Sequence, residues 1–322
     1  MSIKLISKHR GELMAIAMLW IAFFHSQFPI TNKFIRFALV NCGYGGACVF
    51  SFLSAYGLYF SYKKDNDYGS FIKKRLYRIV PFCLVMIVVD SIIRQKGILD
   101  GLFSAFGLYA VIGLDLTNWY TSYILLLYFL TPLYLKVFKN RELKLTIVTI
   151  AIIILISSNL NNLIYQYVLS NLTLFLLGFF FAYLEDKETK IPSIVVLISF
   201  VLGWGILFGS YHFYRNDIRH IYPFIILIPS MCMLVSWIFD KLKFLQKPFK
   251  YLGKYTYQFY LLHELVLLLL YNNYAILYRP GIHFDFLINA FALVIAIVLS
   301  IVFKELVDNL MKRSELKWKV LF

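Results

Sequence analysis

Long apolar segments follow one another along the whole chain and are separated by short polar stretches. A helix needs about 17–25 largely apolar residues to cross the hydrocarbon core of a bilayer. The third and the fifth apolar segments are short for a full crossing, but both can be extended into their polar flanks. The pattern predicts an all-α, polytopic membrane helix bundle of about ten transmembrane helices. The predicted spans are about 12–29, 39–60, 79–93, 119–135, 145–157, 168–184, 191–209, 221–239, 255–272 and 285–303.

The segment 97–118 is apolar but rich in glycine, which weakens helices. We predict a re-entrant or interfacial segment there, with an eleventh span as the alternative. No polar loop exceeds about 30 residues, so the chain has no room for a separate soluble domain. We therefore expect residues 1–322 to form a single transmembrane domain.

The composition supports a membrane protein. Apolar and aromatic residues make up 61% of the chain, and charged residues make up 15%, against about 25% in ordinary soluble domains. Aromatic residues at 19% exclude an intrinsically disordered chain, because disordered chains are poor in them. The cysteines show no paired spacing, so we expect neither a disulfide nor a metal site. They are Cys42, Cys48, Cys83 and Cys232.

The net charge of +15 is divided unequally between the two sides of the predicted bundle. Ten spans place both termini on one side, and 25 of the 32 Lys and Arg residues fall on that side. Because positively charged loops face the cytoplasm, we predict cytoplasmic termini and a multi-pass protein of the cytoplasmic membrane. The excess charge is then a topology signal and an attraction to anionic membrane lipid. Binding to nucleic acid, which a charge of +15 also suggests, is not expected.

Several ionisable residues lie inside the predicted spans, where a charge costs about 2.5–3.5 kcal/mol. One explanation is hydrogen bonding between helices, and the other is chemistry. His25 is the strongest candidate for chemistry because it lies near the outer end of the first span. A water-accessible imidazole there can act as a general base near neutral pH. The residues are Glu12, His25, Asp90, His263 and Glu264.

Helical geometry identifies the residues that share a face with His25. At about 100° per residue, Met14 lies about 20° from His25 around the helix, and Arg10 lies about 60° from it. Glu12 lies about 140° away, so we do not expect it to face the same cavity. The first span therefore predicts a stripe with a cation at its cytoplasmic end and an imidazole near its outer end.

A basic cluster lies at the cytoplasmic entry to the third span, in FIKKRLYRIVP (71–81). Arg75 and Arg78 are three residues apart on one helical face, and Lys74 lies one turn from Arg78. Paired guanidinium groups suit bidentate contacts with phosphate. The alternative is a membrane anchor that follows the positive-inside pattern.

Five motifs, in this order, resemble the acyltransferase-3 family of integral membrane acyltransferases. The resemblance covers most of the chain, and the chain is most similar to the stand-alone, fucose-O-acetylase-like form. The family's usual Arg, eleven residues before the histidine, is replaced here by Met14, and Arg10 is the candidate to take its role. The motifs are ELMAIAMLWIAFFHS (12–26), FSFLSAYGL (50–58), Arg75 with Arg78 and Pro81, NWYTSYILLLYFLTP (118–132) and LGKYTYQFYLLH (252–263).

The resemblance implies transfer of an acyl group, usually acetyl, from cytoplasmic acetyl-CoA to a hydroxyl of a carbohydrate or lipid-linked sugar. His25 is then the general base, and His263 is the histidine of the last motif. Asp90 and Glu264 are the candidates for orienting an imidazole. The cationic cluster of Arg75, Arg78 and Lys74 is implied to hold the CoA phosphates. The residues implied to contact substrate are Trp119, Tyr128 and Ser54, with an outer segment of Tyr211, His212, Tyr214 and Arg215 as a sugar-stacking surface or an interfacial aromatic belt.

Two other functions remain open from the sequence. A transporter or flippase for polysaccharide or lipid-linked sugar would also have many spans and buried charges, but it needs no cytoplasmic phosphate site aligned with a buried base. A membrane-embedded glycosyltransferase normally carries acidic residues in a sizeable outer loop, for which Asp100 and Asp115 are the candidates here. The sequence leaves the acceptor and the oligomeric state open, a homo-oligomer included.

Overall fold

The computed structural model describes residues 1–26, 28–64, 67–95, 97–213, 221–272 and 282–321, with the side chains of 271, 272, 282–285 and 313–321 excepted. Its described part consists of helices and short connections, with a single β-bridge between Ser2 and Lys190. The helices are α1 Lys4–Lys8, α2 Arg10–His25, α3 Lys33–Arg36, α4 Gly45–Lys64, α5 Tyr68–Ile93, α6 Ile98–Ala105, α7 Leu108–Val111, α8 Trp119–Phe138, α9 Glu142–Asn159, α10 Leu163–Asp186, α11 Ser193–Phe213, α12 Phe224–Lys241, α13 Lys243–Leu252, α14 Thr256–Asn272 and α15 Ile282–Leu321, with a π-helix at Phe37–Asn41 between α3 and α4.

Each predicted span falls on a helix, and the all-α polytopic membrane bundle is confirmed. Within the described ranges, seven helices are long and apolar enough to cross a membrane. The pair Lys33–Asn41 and Gly45–Lys64, bent by 48°, adds an eighth if it is one span. The helices α2, with 16 residues, and α14, with 17, carry the first and ninth predicted spans. The number of crossings and the cytoplasmic placement of the termini remain predictions.

The third and fifth predicted spans are longer in the structure than their apolar cores. The helix α5 has 26 residues, and its N-cap Asp67 accepts a hydrogen bond from the backbone N–H of Ser70 at 2.7 Å. This cap places the start of the helix before the basic cluster, so the cluster lies on the first turns of α5 and not in a loop. The helix α9 has 18 residues.

The glycine-rich segment after α5 folds back on it. Its two helices, α6 with eight residues and α7 with four, are each too short to cross a bilayer. The helix α6 packs on α5, where a Cβ on Gly101 would lie only 2.5 Å from the backbone oxygen of Ile87. Gly107, with φ of 65°, makes the turn into α7. The structure therefore favours the re-entrant or interfacial alternative over an eleventh span.

The helix α4 lies at the centre of the bundle and packs against α2, α8, α10 and α12. Its middle is fully buried, with Phe52, Leu53 and Tyr56 at 0% exposure. A Cβ on Gly178 of α10 would lie 2.2 Å from the backbone oxygen of Phe52, so a glycine there lets α10 approach α4 closely. Conversely, α9 and α11 expose many apolar side chains, as lipid-facing helices do. The central helices are consequently the ones that can enclose a polar site.

The four cysteines are buried and unpaired. They are small core residues.

Candidate functional site

A cavity of about 430 Å³ opens at the C-terminal end of α2, the outer end in the predicted topology. We call it the outer cavity. Its polar side chains include His25, Asp115 and Glu264, and most of the rest of its wall is aromatic. The lining residues are Ile21, Phe24, His25, Tyr44, Ala47, Phe50, Asp115, Leu116, Thr117, Trp119, Tyr120, Tyr167, Tyr260 and Glu264. An aromatic wall with a few polar groups is typical of sites that bind organic ligands.

The helix α14 places a carboxylate and a second histidine beside His25. The Nε2 atom of His25 lies 3.5 Å from Oε1 of Glu264, and both side chains are about one-third exposed. The rings of His25 and His263 meet edge to face, with centroids 5.1 Å apart. Of the two acids that the sequence offered for orienting an imidazole, the structure brings Glu264 to His25.

The second histidine is fixed by its own helix. The Nδ1 atom of His263 lies 3.1 Å from the carbonyl oxygen of Phe259 and 2.9 Å from that of Tyr260. Since carbonyl oxygens only accept, Nδ1 carries the proton and Nε2 of neutral His263 is left as an acceptor. His263 is only 2% exposed, and its Nε2 has no hydrogen-bond partner among the described residues. The imidazole of His263 is therefore a buried acceptor packed against His25.

Asp90 lies elsewhere on α5. It is 2% exposed, and its carboxylate accepts a hydrogen bond from Nε of Arg94 at 2.8 Å. The structure thus pairs Asp90 with a cation on its own helix and not with either histidine. Glu12 is likewise turned away from the outer cavity, and its carboxylate lies 3.3 Å from Nδ1 of His9.

A second cavity, of about 500 Å³, lies at the opposite end of α2. We call it the inner cavity. Four cations from four separate parts of the chain line it, namely Arg10, Arg78, Lys254 and Lys304. Asp308, which forms an ion pair with Lys304, is also in the lining. The remaining lining residues are Met14, Phe50, Ser54, Tyr77, Ile79, Phe82, Tyr120, Ile124, Tyr128, Thr256, Tyr257, Gln258 and Tyr260. The cations greatly outnumber the acids, so the cavity suits an anionic ligand.

Arg10 is held in this cavity by α4. Its Nε donates a hydrogen bond to the carbonyl oxygen of Leu53 at 2.9 Å. A Cβ on Gly57 would lie 2.7 Å from Cζ and Nη2 of Arg10, so the guanidinium occupies space that only glycine leaves open. Met14 lines the same cavity. Arg10 and His25 therefore face different cavities, and Arg10 is placed to contact an anion and not the imidazole.

The three candidate cations on the first turns of α5 have different surroundings in the structure. Arg78 lines the inner cavity. Arg75 lies with its guanidinium carbon 5.3 Å from the centre of the Phe71 ring, and its buried Nε has no hydrogen-bond partner in the described ranges. Lys74 is exposed on the surface of α5. Of the three residues, Arg78 is the one whose side chain reaches the cavity.

Three aromatic residues line both cavities and form the wall between them: Phe50 of α4, Tyr120 of α8 and Tyr260 of α14. The ring centroids of Phe50 and Tyr120 are 6.0 Å apart, and those of Tyr120 and Tyr260 are 5.9 Å apart. The Tyr120 hydroxyl shares a hydrogen bond of 2.9 Å with Oγ of Ser54. Of the residues implied to contact substrate, Trp119 lines the outer cavity, whereas Ser54 and Tyr128 line the inner one.

The structure describes two residues, Tyr211 and His212, of the outer segment that the resemblance implies for sugar stacking. The centroid of the Tyr211 ring lies 5.2 Å from that of Phe37, and His212 lies beside Phe213, the last residue of α11. Neither is among the residues that line the two cavities described above. Tyr214 and Arg215 lie outside the described residues.

Sequence reasoning missed many of the residues that line the two cavities, among them two lysines and two tyrosines. Lys254 lies in the last motif and Lys304 directly follows the last predicted span, but only the packing of the helices brings both lysines to Arg10. Tyr120 and Tyr260 lay inside two of the recognised motifs, NWYTSYILLLYFLTP and LGKYTYQFYLLH, and the spacing of Tyr260 and Glu264 by four residues was the available signal.

The side chains of His25, His263 and Glu264 could also hold a metal ion. Their potential ligand atoms all lie within 4.8 Å of one another. Two imidazoles and one carboxylate are ligands that zinc accepts. This arrangement stands as an alternative use of the same three side chains.

The family model described as an acyltransferase domain, of the acyltransferase-3 type, matches residues 13–305. The match includes His25, both arginines of the cluster on α5, the wall residues and all of α14. No curated protein and no solved structure matches the chain.

Proposed function

The chain belongs to the acyltransferase-3 family and is a multi-pass membrane protein, and from this premise we propose that it transfers an acetyl group from cytoplasmic acetyl-CoA to a carbohydrate. The acceptor is a hydroxyl of a cell-envelope polysaccharide or of a lipid-linked sugar, and the membrane is the cytoplasmic membrane. The observation that carries the proposal is the pair of cavities at opposite ends of α2, one cationic and one bearing an imidazole–carboxylate pair, which meet at a shared wall.

The inner cavity is the site proposed for CoA. The CoA phosphates are too polar to enter lipid, so they must bind at the cytoplasmic end of the bundle. Arg10 and Arg78 offer planar guanidinium groups for phosphate oxygens, and Lys254 adds an ammonium charge, whereas the charge of Lys304 is paired with Asp308. The flexible arm of CoA can then extend past Tyr128 and Ser54 and bring the thioester to the wall.

The outer cavity is the site proposed for the acceptor sugar. Trp119 and Tyr167 present aromatic rings there, centroids 5.1 Å apart, on which a sugar ring can pack. His25 takes the proton of the attacking hydroxyl, and Glu264 stabilises the imidazolium that forms. The hydroxyl oxygen bonds to the thioester carbonyl carbon, the carbon–sulfur bond breaks, and the CoA thiolate recovers the proton from His25. No covalent acyl-enzyme is needed in this sequence.

A flippase is the main competing function. Such a protein would bind the lipid-linked sugar but has no use for four cations clustered at the inner end of the helix that carries His25. Binding of radiolabelled acetyl-CoA to the purified protein separates the two. Saturable binding, competed by CoA, supports the transferase, and its absence together with transport of labelled lipid-linked sugar supports the flippase.

The two acids that a glycosyltransferase would use, Asp100 and Asp115, each accept a hydrogen bond from a nearby hydroxyl. The carboxylate of Asp100 accepts from the Tyr109 hydroxyl at 2.6 Å, and that of Asp115 accepts from the Thr117 hydroxyl at 2.6 Å. Asp115 lines the outer cavity, but Asp100 is not among its lining residues, so the two acids form no pair.

Mass spectrometry of envelope glycans identifies the acceptor. Cells with the gene should carry a glycan heavier by one acetyl group than cells without it. An identical glycan profile in the two strains would remove envelope carbohydrate as the acceptor and direct the search to small molecules.

Gly57→Ala should impair the donor site from the opposite side of the inner cavity. The new methyl would lie 2.7 Å from the guanidinium of Arg10 and displace it. We expect the KM for acetyl-CoA to rise roughly tenfold, because a hydrogen bond to a charged group is worth about 1.5–3 kcal/mol. Steady-state kinetics measures this, and Gly205→Ala, where a Cβ meets nothing within 4 Å, is the matched control. An unchanged KM in Gly57→Ala would remove Arg10 from the donor site.

Chelation should leave the activity unchanged. If His25 is the general base, its lone pair must be available for a proton, and a metal ion on the imidazole would occupy it. We expect treatment with EDTA, followed by desalting, to preserve the rate of acetyl transfer. Loss of activity that Zn²⁺ restores and Mg²⁺ does not would contradict a free imidazole and assign His25, His263 and Glu264 to a metal site.

A further inference from the structure

One hydroxyl in the wall between the cavities has a proton without an assigned acceptor. Tyr260 lines both cavities, and its ring centroid lies 6.3 Å from that of His263. Glu264 follows Tyr260 by four positions, so the two side chains lie on one face of α14. The phenol is therefore next to the imidazole–carboxylate pair and also open to the cationic cavity.

The hydroxyl of Tyr260 is positioned by an unusual donor. The backbone N–H of Tyr120, in the first turn of α8, donates to the Tyr260 hydroxyl oxygen at 3.0 Å. At the start of a helix this N–H has no partner within the helix, so it is available for such a bond. A phenol can accept and also donate one proton. The bond from Tyr120 occupies an acceptor position, and the Tyr260 hydroxyl donates no hydrogen bond to a described residue.

The other two wall residues have no hydroxyl proton available to a ligand. Phe50 has no hydroxyl. The hydroxyl of Tyr120 is engaged with Oγ of Ser54 at 2.9 Å. Within the wall, Tyr260 is consequently the residue whose hydroxyl oxygen is held by the Tyr120 N–H while its proton is available to a ligand.

We propose that the Tyr260 hydroxyl donates a hydrogen bond to the carbonyl oxygen of the acyl thioester and stabilises the charge that develops there. This inference rests on the proposed function and adds a catalytic residue to it. A thioester arriving through the inner cavity and a hydroxyl arriving through the outer cavity can meet only at the wall, and Tyr260 is exposed to both. A donor held there before the reaction, away from water, stabilises an oxyanion strongly.

The step balances with the groups already named. The acceptor oxygen bonds to the carbonyl carbon while His25 takes its proton, and the carbonyl π electrons move to the oxygen. The Tyr260 O–H donates a hydrogen bond to that negative oxygen and keeps its proton. The carbonyl then re-forms, the carbon–sulfur bond breaks, and the thiolate takes the proton from the imidazolium of His25.

Tyr260→Phe tests the proposal because it removes the hydroxyl and keeps the ring in the wall. With purified protein, acetyl-CoA and a lipid-linked glycan extract, we expect kcat to fall roughly 10²–10³-fold, the loss typical for one oxyanion donor. The KM for acetyl-CoA should stay nearly unchanged, because the hydrogen bond strengthens only as charge develops. The matched control is Tyr123→Phe, another buried phenol, on α8, that is not among the lining residues of either cavity.

A wild-type kcat in Tyr260→Phe, or a loss confined to KM, would overturn the proposal and leave Tyr260 as part of the wall. Absence of transfer by the wild-type protein would instead overturn the proposed function itself. If Tyr260→Phe does not fold, 3-fluorotyrosine at position 260 retains the oxygen and its bond from Tyr120. Its more acidic hydroxyl should change kcat and not KM, and an unchanged kcat would count against the proposal.

Discussion

We expect His25→Ala to abolish acetyl transfer while the protein remains folded in the membrane. The imidazole is the group in the outer cavity that can take a proton from a hydroxyl near neutral pH, and general-base catalysis contributes about 10²–10⁴-fold to a rate. In the wild type, Oε1 of Glu264 lies 3.5 Å from Nε2 of His25 and stabilises the imidazolium that forms, and this interaction is also lost in His25→Ala. The measurement is the rate of label transfer from acetyl-CoA to the glycan fraction.

Binding of acetyl-CoA separates this loss from misfolding. The inner cavity does not include His25, so His25→Ala should bind acetyl-CoA with the wild-type Kd. Ser26→Ala is the matched control at the next position, because the Ser26 hydroxyl donates to the carbonyl oxygen of Phe23 on its own helix and Ser26 is not among the residues that line the outer or the inner cavity. Glu264→Gln should give an intermediate rate, since the imidazole remains but its charged partner is lost. Full activity in His25→Ala would refute the assignment of the base.

Arg78→Ala should raise the KM for acetyl-CoA roughly tenfold with a smaller change in kcat. Arg78 lines the inner cavity, and a guanidinium–phosphate contact is worth about 1.5–3 kcal/mol. Its side chain is exposed, so solvent screening places the effect at the lower end of that range. The measurement is KM at low and at high salt, because the wild-type advantage should shrink as salt screens the contact.

Two neighbouring residues on α5 provide control variants for Arg78→Ala. Lys73 is exposed and is not among the residues that line the inner cavity, so Lys73→Ala should retain the wild-type KM. Arg75→Ala should have a smaller effect than Arg78→Ala, because its guanidinium lies over Phe71 and not in the cavity. Equal KM values in Arg78→Ala, Lys73→Ala and the wild type would return the whole cluster to the role of a membrane anchor.

The helical periodicity of the first span predicted one feature of the site well. It placed Arg10, Met14 and His25 on one stripe and Glu12 away from it. In the structure the stripe faces the two cavities in succession, with Arg10 and Met14 in the inner one and His25 in the outer one. Periodicity works here because a straight helix fixes which residues share a face. It does not show what lies opposite, so the separation of Arg10 from His25 by an aromatic wall was not predictable.

The choice between Asp90 and Glu264 shows the same limit. Both acids lie in apolar spans, and the cost of burial identifies each as needing a partner. Which partner it has depends on which helices are neighbours. The structure pairs Asp90 with Arg94 one turn along α5, and packs α14 against α2 so that Glu264 reaches His25.

The cations of the inner cavity could be predicted only in part. Arg78 and Lys254 lie in two of the motifs, but nothing in the sequence marks Lys254 or Lys304 as a cavity residue among the other Lys and Arg residues that the positive-inside pattern places at the same membrane face. Three-dimensional packing brings residues from four parts of the chain to one cavity. Hydropathy therefore predicted the helices, whereas the composition of the site required their arrangement.

The most direct test of the transfer across this bundle uses membrane vesicles of known orientation. Vesicles that expose the cytoplasmic face receive acetyl-CoA labelled in the acetyl group, and the label in lipid-linked and polymeric glycan is counted. We predict label in glycan for the wild-type protein and none for His25→Ala in vesicles with equal amounts of protein. Two results would contradict the proposed transfer with His25 as its base. The first is wild-type vesicles that bind acetyl-CoA but place no acetyl label on any acceptor, and the second is His25→Ala vesicles that label glycan as strongly as the wild type.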